Sequence, residues 1–483
     1  MTLQDVMELA NSNYSDLPQG WKWVELENVV DILDKHRKPI NSTERQSRIE
    51  GKTSNQLYPY YGATGQVGYI DNYLLDGDFL LLGEDGAPFF EPFKNVAYLV
   101  HGKIWVNNHA HVLKAHVSNA YLCYFLNQVD YHNYVTGTTR LKLNQSSMRK
   151  ILIKLPPPSE QHRIVEKIEE LFSELDNGVA SLKKALEQLK TYRQAVLKWA
   201  FEGKLTEKWR NTHQDSLEDG DTLLEQIKAE RKRHYQQQLE DWKQALKEWE
   251  NNGKETKKPT KPQQPKDLPP LTKEELSNLP SLPNGWMWVK LGYMTIGTEY
   301  GTSSKSQKEG KIPVLRMGNI QNGIIDWSDL VFTSNEDEIR QYLLQENDVL
   351  FNRTNSPELV GKTAIYSGKV PAIFAGYLIR INQINSIVNA KYLTYFLNST
   401  IAKNHGNKVK TDGVNQSNIN GEKLCNYPFP YISLQEQTQI VQEIESRLSV
   451  CDQLEATLTE NLDKAEALRQ SILKRAFEGK LVL

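Results

Sequence analysis

EQHRIVEKIEELFSELDNGVASLKKALEQLKTYRQAVLKWAFEGKL runs from Glu160 to Leu205, and EQTQIVQEIESRLSVCDQLEATLTENLDKAEALRQSILKRAFEGKL runs from Glu436 to Leu481 in the same register, without a gap. In the first stretch Ile164, Ile168, Leu171, Leu175, Gly178, Leu182, Ala185, Leu189, Tyr192, Val196 and Trp199 alternate steps of four and three, the seam of a coiled coil with one weak place at Gly178. The second repeats it with Ile440, Ile444, Cys451, Leu454, Leu458, Ala465, Leu468 and Ile472, broken by Arg447, Asn461 and Arg475. The spacing predicts one long helix in each. Both follow a proline-bearing segment, LPPPSEQ or YPFPYISLQEQ, where Ser159 or Ser433 is placed to cap, and Ser433 with Glu436 fits a capping box. Gly203 and Gly479 suit C-terminal caps, so AFEGKL reads as a helix exit. About forty residues rising 1.5 Å each make a rod of roughly 60 Å. Two such rods in one chain should pair; periodicity alone leaves parallel and antiparallel pairing open.

Outward from these helices the duplication continues. LPQGWKWVEL (Leu17–Leu26) returns as LPNGWMWVKL (Leu282–Leu291), NAYLCYFLN (Asn119–Asn127) as NAKYLTYFLN (Asn389–Asn398), and Asn144-Gln145-Ser146 as Asn415-Gln416-Ser417. The edges agree while the interiors, about 35–115 and 300–385, hardly match: one frame carries two different contents. Short apolar runs such as FLLLG at Phe79, HVLKA at His111 and VLFNR at Val349, with glycine-marked turns and one helix, make each interior an α+β core. An insertion, Thr206–Ser281, has no counterpart in the second copy. Its first part predicts an amphipathic helix with Leu224, Ile227, Leu239, Trp242, Leu246 and Trp249 near one side. GKETKKPTKPQQPKDLPP then predicts an extended, mobile tether.

Composition narrows the function classes. The 58 basic residues against 60 acidic ones leave a net charge of −2, so nucleic-acid binding would need a partner to supply many backbone contacts. Cys123, Cys425 and Cys451 are too scattered for a disulfide framework or a metal knuckle, and no apolar run is long enough for a membrane span, which points to a cytoplasmic protein. Catalytic signatures are scarce: there is no GxxxxGK[ST] loop, GATGQVG at Gly62 has the wrong spacing for a dinucleotide turn, and no Asn-Pro-Pro-aromatic tetrapeptide of base methylation occurs. His101, His109, His111 and His116 are dense enough for a metal or histidine nuclease site, yet AIFAGYLIRIN in the other copy has none and no acidic residue sits at ligand spacing. Glu202 with Lys204, and Glu478 with Lys480, imitate part of a nuclease motif but fall at the helix exits. What remains is recognition equipment. YYGATGQVGY at Tyr60, LGEDGAP at Leu82 and TGTTRLKLNQ at Thr136, with RMGNIQNG at Arg316, FNRTNSPE at Phe351 and KVKTDGVNQ at Lys408, carry groups suited to base edges.

The layout of LPxGWxWVxL opening each half, NQSSMRKILIKLPPPSEQHRIVEKIEELF, and the helix ending LKWAFEGKL or LKRAFEGKL resembles the specificity subunit of Type I restriction-modification systems. The resemblance implies two pseudo-repeated target recognition domains joined by two long helices that form an antiparallel coiled coil. It divides the chain into an N-terminal extension (1–16), target recognition domain 1 (17–158), spacer helix 1 (159–205), the insertion (206–281), target recognition domain 2 (282–432) and spacer helix 2 (433–483). Each domain would read half of a bipartite double-stranded DNA target. A 60 Å rod bounds the separation at under about 18 base pairs of 3.4 Å. Two modification (methyltransferase) subunits and two restriction (motor-nuclease) subunits are the implied partners. S-adenosylmethionine, ATP and Mg would serve the adenine-N6 methylation and ATP-dependent cleavage of those partners, with no cofactor, metal or catalytic residue in this chain and no membrane. By position and chemistry the expected DNA contacts are Tyr61, Ala63, Thr64, Glu84, Asp85, Asn108, His109, Thr138, Thr139, Arg140 and Lys142, then Arg316, Asn319, Arg353, Thr354, Asn355, Lys410, Thr411, Asp412 and Gln416. Ile164, Ile168, Leu171, Leu175, Leu182, Leu189, Val196, Ile440, Ile444, Leu454, Leu458, Leu468 and Ile472 are expected to hold the spacer and dock subunits. The alternatives are a histidine-dependent metal nuclease and a protein-only coiled-coil adaptor.

Overall fold

Each copy closes on the same two side chains, the tryptophan of LPxGW and the glutamate that opens the long helix. Trp21 Nε1 donates to Glu160 Oε1 at 3.1 Å, and Trp286 Nε1 donates to Glu436 Oε2 at 2.9 Å. The next residue repeats as well: Gln161 accepts from the Ser118 amide and donates to Pro156 O, while Gln437 accepts from the Asn389 amide and donates to Ile387 O and Ile432 O. Both glutamines are buried, where an unmet polar group would cost about 1–3 kcal/mol.

The structure is a computed structural model that describes residues 17–91, 94–214, 218, 220–253, 258–262, 264 and 267–482; the 1–16 extension lies outside the described residues. Two units divide it, Met1–Ala185 with Ala456–Leu483, and Leu186–Glu455. The first contains β1 (Lys22–Glu25), β2 (Val30–Ile32), α1 (Ser42–Ile49), β3 (Tyr58–Gly62), β4 (Gly65–Ile70), β5 (Leu75–Gly83), β6 (Ala97–Val106), β7 (Ala110–Ala115), α2 (Asn119–Leu126), α3 (Gln145–Arg149), β8 (Leu152–Leu155) and the opening of α4 (Pro158–Phe201). Six strands form one sheet in the order β2-β7-β5-β6-β3-β4, parallel only between β3 and β6, while β1 and β8 make a separate antiparallel ribbon. Leu80, Leu81 and Leu82 are fully buried, as an uninterrupted apolar run in a central strand requires. Leu80 and Leu82 share a core with Tyr121 and Phe125 of α2, Ile164 and Ile168 of α4, and Ile472 and Phe477 of the chain's last helix.

The second unit takes the exit of α4, then α5 (Glu207–Thr212), α6 (Gly220–Asn251), α7 (Lys273–Ser277), β9 (Met287–Lys290), β10 (Thr295–Tyr300), β11 (Ile312–Leu315), β12 (Ile320–Gln321), β13 (Ile324–Ile325), β14 (Val331–Thr333), α8 (Glu336–Tyr342), β15 (Val349–Asn352), β16 (Thr354–Asn355) and β17 (Thr363–Ile365). It ends with β18 (Ile373–Phe374), β19 (Leu378–Gln383), α9 (Ala390–Leu397), α10 (Thr400–Val409), β20 (Thr411–Asp412), β21 (Ser417–Asn418), α11 (Gly421–Cys425), β22 (Pro428–Tyr431) and the opening of α12 (Leu434–Phe477). The ribbon recurs as β9 with β22, but the interior is rebuilt as a four-stranded sheet, β10-β19-β15-β17, and a three-stranded one, β14-β11-β18. Phe201 meets the rings of Tyr392 and Phe396 at 5.3 and 5.2 Å, as Phe477 meets Tyr121 and Phe125 at 5.4 and 5.1 Å in the first unit. The phenylalanine of AFEGKL is thus a plug in each core. The following glycines, Gly203 (φ +73°) and Gly479 (φ +69°), stop the helices as expected, and a Cβ on either would lie 2.3 Å from the ring of Pro283 or Pro18.

Several expectations need correction. Ser433 Oγ accepts from the Glu436 amide at 3.3 Å, but the Glu436 carboxylate does not complete a capping box; buried, it binds Trp286, Thr206 at 2.8 Å and Arg210 at 3.0 Å. The Asn415-Gln416-Ser417 match misleads: Asn144 caps α3, and the residue that caps α11 is Asn420, each sixteen positions ahead of its glutamate (144 to 160, 420 to 436). Leu454 and Leu468 are 49% and 51% exposed. They share a seven-residue column with half-buried Arg447 and exposed Asn461 and Arg475, while Ile444, Cys451, Ala465 and Ile472 are buried. In α6 it is Leu223 with Ile227 that enters the core, Leu224 being half-buried. The tether is not free where it is described: Trp242 Nε1 donates to Pro259 O at 3.0 Å, and Lys258 and Lys261 lie over Trp249 and Trp242.

Glu436→Ala strands the buried Arg210 and is expected to cost about 3–5 kcal/mol, whereas Glu160→Ala removes one tryptophan hydrogen bond for about 1 kcal/mol. Denaturant midpoints of the two variants check the order, and a larger loss for Glu160→Ala contradicts it.

Candidate nucleic-acid interface

Asp34 is the hub of the first unit's loops. Its carboxylate accepts from His111 Nδ1 at 2.6 Å, the Val112 amide at 2.9 Å, Gln145 Nε2 at 2.9 Å and the Arg37 guanidinium at 3.2 Å. His111, on β7 and fully buried, also places Nε2 2.9 Å from Leu143 O. A carboxylate and a carbonyl only accept, so each ring nitrogen of His111 faces an acceptor oxygen. Burial pushes the Asp34 carboxyl up, but the hydrogen bond and charge of His111, with the Val112 amide and Gln145, hold it below the ordinary carboxylate value. Arg37 also binds Glu84 and donates to Ala110 O at 2.9 Å, and Glu84 takes Lys142 Nζ at 3.3 Å.

Asp34, Glu84 and His111 are the one group among the described residues whose possible ligand atoms converge, within 4.8 Å. This overturns the expectation that no acidic partner meets the histidines; 77 positions between Asp34 and His111 hid it. The group does not fit a metal, because Arg37 is bonded to both carboxylates and both His111 nitrogens face oxygens. His101, His109 and His116 each face a different carboxylate, Asp78 at 2.9 Å, Asp85 at 3.3 Å and Asp31 at 3.1 Å.

Four segments meet around this hub. The Asn107 amide donates to Tyr61 O at 3.1 Å, which ties the turn of Asn108 and His109 to that of Ala63 and Thr64; the Glu84 amide donates to His109 O at 2.8 Å, and the Leu143 amide to Glu84 O at 2.7 Å. Asp85 then bridges Arg140 Nε at 2.5 Å and His109 Nδ1 at 3.3 Å. Thr138, Thr139 and Arg140 stand exposed in a loop closed by reciprocal Thr136–Lys142 backbone bonds. Gly137 has φ +97° there, and a Cβ would lie 2.4 Å from Arg140 O, so the loop needs glycine.

In the second unit β16, β21 and β20 form a small sheet that gathers Thr354, Asn355, Thr411 and Asp412, with Gln416 exposed at its turn and Lys410 Nζ donating to Pro357 O at 3.1 Å. Thr354 Oγ1 accepts from Asn418 at 2.7 Å. Arg353 lies 4.7 Å over the Tyr300 ring and donates to Gly376 O at 3.3 Å. Arg316 sits at another turn, held by Asp329 at 2.9 Å, and Asn319 is buried there, donating to Asp326 O and Asp329 O. Asp34, Arg37, Tyr300 and Tyr377, whose carbonyl accepts from the Arg353 amide at 3.0 Å, were not singled out from sequence. The signals were present in DKHRKP between two elements, and in Tyr300-Gly301 and Gly376-Tyr377, where a Cβ on Gly301 would lie 2.1 Å from Phe374 O.

Two α+β units on a common frame, each presenting a group of polar and aromatic loop residues, define a class of duplicated recognition proteins. A family model described as the Type I restriction modification DNA specificity domain matches residues 18–189 and again 283–464, and the chain belongs to that family. The Type I restriction enzyme EcoKI specificity subunit of Escherichia coli K12 is 26% identical over 377 residues, 76% of this chain and 66% of that protein. The EcoDI specificity subunit of Escherichia coli is 22% identical over 475 residues, covering 96% and 89%. A putative type I specificity subunit of Haemophilus influenzae, S.HindORF215P, is 33% identical over 152 residues, 31% of this chain and 37% of that protein. The chain therefore spans less than two thirds of the length of the K12 and Haemophilus relatives. A solved chain from work on complex assembly and conformational transition of the type I R-M system shares the fold with a TM-score of 0.59 at 17% identity, covering 96% of this chain and 99% of its own. Among the described residues no helix is long and apolar enough to cross a membrane.

Asp34→Asn is expected to destabilise the first unit by about 1–3 kcal/mol at pH 7. Because the folded carboxyl titrates below its unfolded value near 3.9, the wild-type advantage is complete above that pH and fades as pH falls through the folded value. Denaturant midpoints at pH 7 and pH 3 check this; a gap that widens on acidification contradicts it.

Proposed function

We propose that this chain is the DNA-reading specificity subunit of a Type I restriction-modification complex, each unit addressing one half of a discontinuous double-stranded target. The observation that carries this reading is the convergence of Tyr61, Glu84, Asp85, His109, Arg140 and Lys142 from four separated segments onto one loop cluster. The unlike interiors on a shared frame support separate half-sites, since one frame can place two readers while different loops contact different bases. Arg353 on its tyrosine, with Thr354, Asn355, Lys410, Thr411, Asp412 and Gln416 nearby, is the corresponding group of the second reader, and Arg316 with Asn319 shapes an adjoining turn.

The two helices serve as an antiparallel spacer in this reading. Within the first unit the opening of α4 shares a core with the exit of α12, and Asp176 pairs with Arg469; within the second the opening of α12 shares a core with the exit of α4, and Arg193 pairs with Asp452 at 2.7 Å and Glu455 at 2.8 Å. Forty-four residues at 1.5 Å each make a helix of about 66 Å. The exposed faces of these helices would dock two modification subunits, and restriction subunits would join them. S-adenosylmethionine, Mg and ATP would belong to those partners. The divisions at 17–158, 159–205, 206–281, 282–432 and 433–483 are part of the same proposal.

Exchanging residues 17–155 for the segment of another family member is expected to change one half of the methylated sequence in a host genome and leave the other intact. Simultaneous change of both halves would refute the division of labour. Arg140→Ala and Arg353→Ala are each expected to lose about 1–3 kcal/mol of discrimination between cognate and substituted DNA, read by titration at fixed salt. Equal weakening on every DNA would mark a phosphate contact instead.

A further inference from the structure

We propose that each unit carries a phosphate rail for double-stranded DNA in the segment behind its second strand, Lys35 and Lys38 in the first unit and Lys305 and Lys308 in the second, so that backbone contact and base reading fall to different side chains. This rests on the proposed DNA-reading function and adds the residues that meet the sugar-phosphate chain.

The cations of the first reading cluster are already taken. Asp85 holds Arg140, and Glu84 holds Lys142 and Arg37, so these groups are oriented but largely neutralised, whereas a phosphate is met by charge that is still free. The segment Asp34–Lys38 supplies such charge. It is fixed to the end of the sheet at which β5 and β6 finish and β7 begins: the Leu33 amide donates to Val112 O at 2.8 Å, the Lys38 amide to Val106 O at 3.1 Å, Trp105 Nε1 to Lys38 O at 2.8 Å, and Arg37 Nη1 to Ala110 O at 2.9 Å. Asp34 and Arg37 turn inward to the hub, while Lys35, His36 and Lys38 stand exposed. Among the described residues neither lysine has an acidic partner. Asp31, Asp34, Glu84 and Asp85 are bonded to other groups, Asp71 is held by Arg48, and Glu44 and Glu50, exposed on α1 and just after it, pair with neither lysine. Over Asp34–Lys52 six Lys and Arg stand against three Asp and Glu.

The same place in the frame is used again, although the interiors differ. β2 starts four residues after the last leucine of LPQGWKWVEL, Leu26, and β10 starts four residues after Leu291 of LPNGWMWVKL. The segment behind β10 is tied to the second reading group: the Thr302 amide donates to Phe374 O at 2.9 Å, the Gly376 amide donates to Thr302 O at 2.7 Å, and Gly376 O accepts from Arg353. Further on, the Gln307 amide donates to Phe332 O at 2.9 Å. Lys305 lies between these anchors and Lys308 just past them, both exposed and both without an acidic partner among the described residues. The acids nearby are accounted for: Glu336 takes Lys311, Glu338 accepts from Thr302 and Thr333, and Glu309 stands exposed beside Lys308. An exposed, unpaired lysine adds nothing to either core. Two unlike interiors that place such lysines at one point of a shared frame, each beside the loops proposed to read bases, therefore share a requirement that folding does not impose.

Titration of the full chain, assembled with its modification subunits, tests this on a duplex carrying the mapped methylated sequence and on base-substituted duplexes, over a range of salt. Lys35→Gln with Lys38→Gln, and Lys305→Gln with Lys308→Gln, should each lower the slope of log affinity against log salt by about 2 and weaken binding near 0.1 M salt by at least about tenfold, equally on every duplex. The methylated sequence should stay the same. Arginine at the same positions should keep the unsubstituted slope, and Lys22→Gln, an exposed lysine of the β1/β8 ribbon, should leave it unchanged. Sequence-specific binding with an unaltered slope overturns the rail alone, as does an altered preference among duplexes or an equal loss from Lys22→Gln. Absence of any preference between duplexes in the unsubstituted complex overturns the DNA-reading proposal, and the rail with it.

Discussion

The fold depends on how a long, thinly apolar helix is anchored at its two ends. A single helix of 44 residues buries little along its middle, so its direction and rotation are decided where it enters and leaves a core. Entry is set by a carboxylate given up to tryptophan, Glu160 to Trp21 and Glu436 to Trp286, with a buried glutamine beside it that ties the helix to the segment before α2 or α9. Exit is set by a phenylalanine driven between two aromatic rings and by a glycine that lets a proline approach. Polar geometry at one end and aromatic packing at the other leave the helix little freedom to slide or rotate.

The two anchors are not equal. Glu160 receives a tryptophan from a partly exposed position, whereas Glu436 is buried with Arg210 and Thr206 as well. Arg210 and Thr206 come from the insertion, which therefore belongs to the core of the second unit at its start. Its long helix continues the attachment: Leu223 and Ile227 join that core, and Arg231 lies over Tyr293. A segment that sequence marks as extra is in this way fastened at several points, and its lysines stack on its own tryptophans where they are described.

Near-neutral net charge is compatible with the proposed nucleic-acid surface because the loop cations are held by local acids. Asp85 holds Arg140, Glu84 holds Lys142 and Arg37, and Asp329 holds Arg316. Such pairs fix side chains that would otherwise be flexible, and they favour recognition through orientation over attraction through excess charge. Asp34 with His111 does the same for the backbone, joining β7 to the segments that carry Arg37 and Leu143 to Gln145.

The duplicated frame was legible in the sequence by itself: both long helices, their glycine exits, the YLCYFL and YLTYFL helices and the α+β character of the interiors follow from period, spacing and turn residues, all of which are local. Pairing between distant segments was not legible. Asp34 and His111 meet across a sheet, Arg140 meets Asp85 from the far side of α2, and nothing in their spacing announces either contact. A repeated tripeptide suggested Asn415 as the partner of Asn144, while the helix that needs a cap begins at Gly421, so Asn420 does the work. The seam was drawn from apolar letters, yet Leu454 and Leu468 face water, because a helix buries whichever column meets its neighbour, and a column interrupted by arginine and asparagine is the cheaper one to leave in solvent. Local periodicity is written along the chain; which faces and which loops come together is decided only when the sheets and helix ends close on one another.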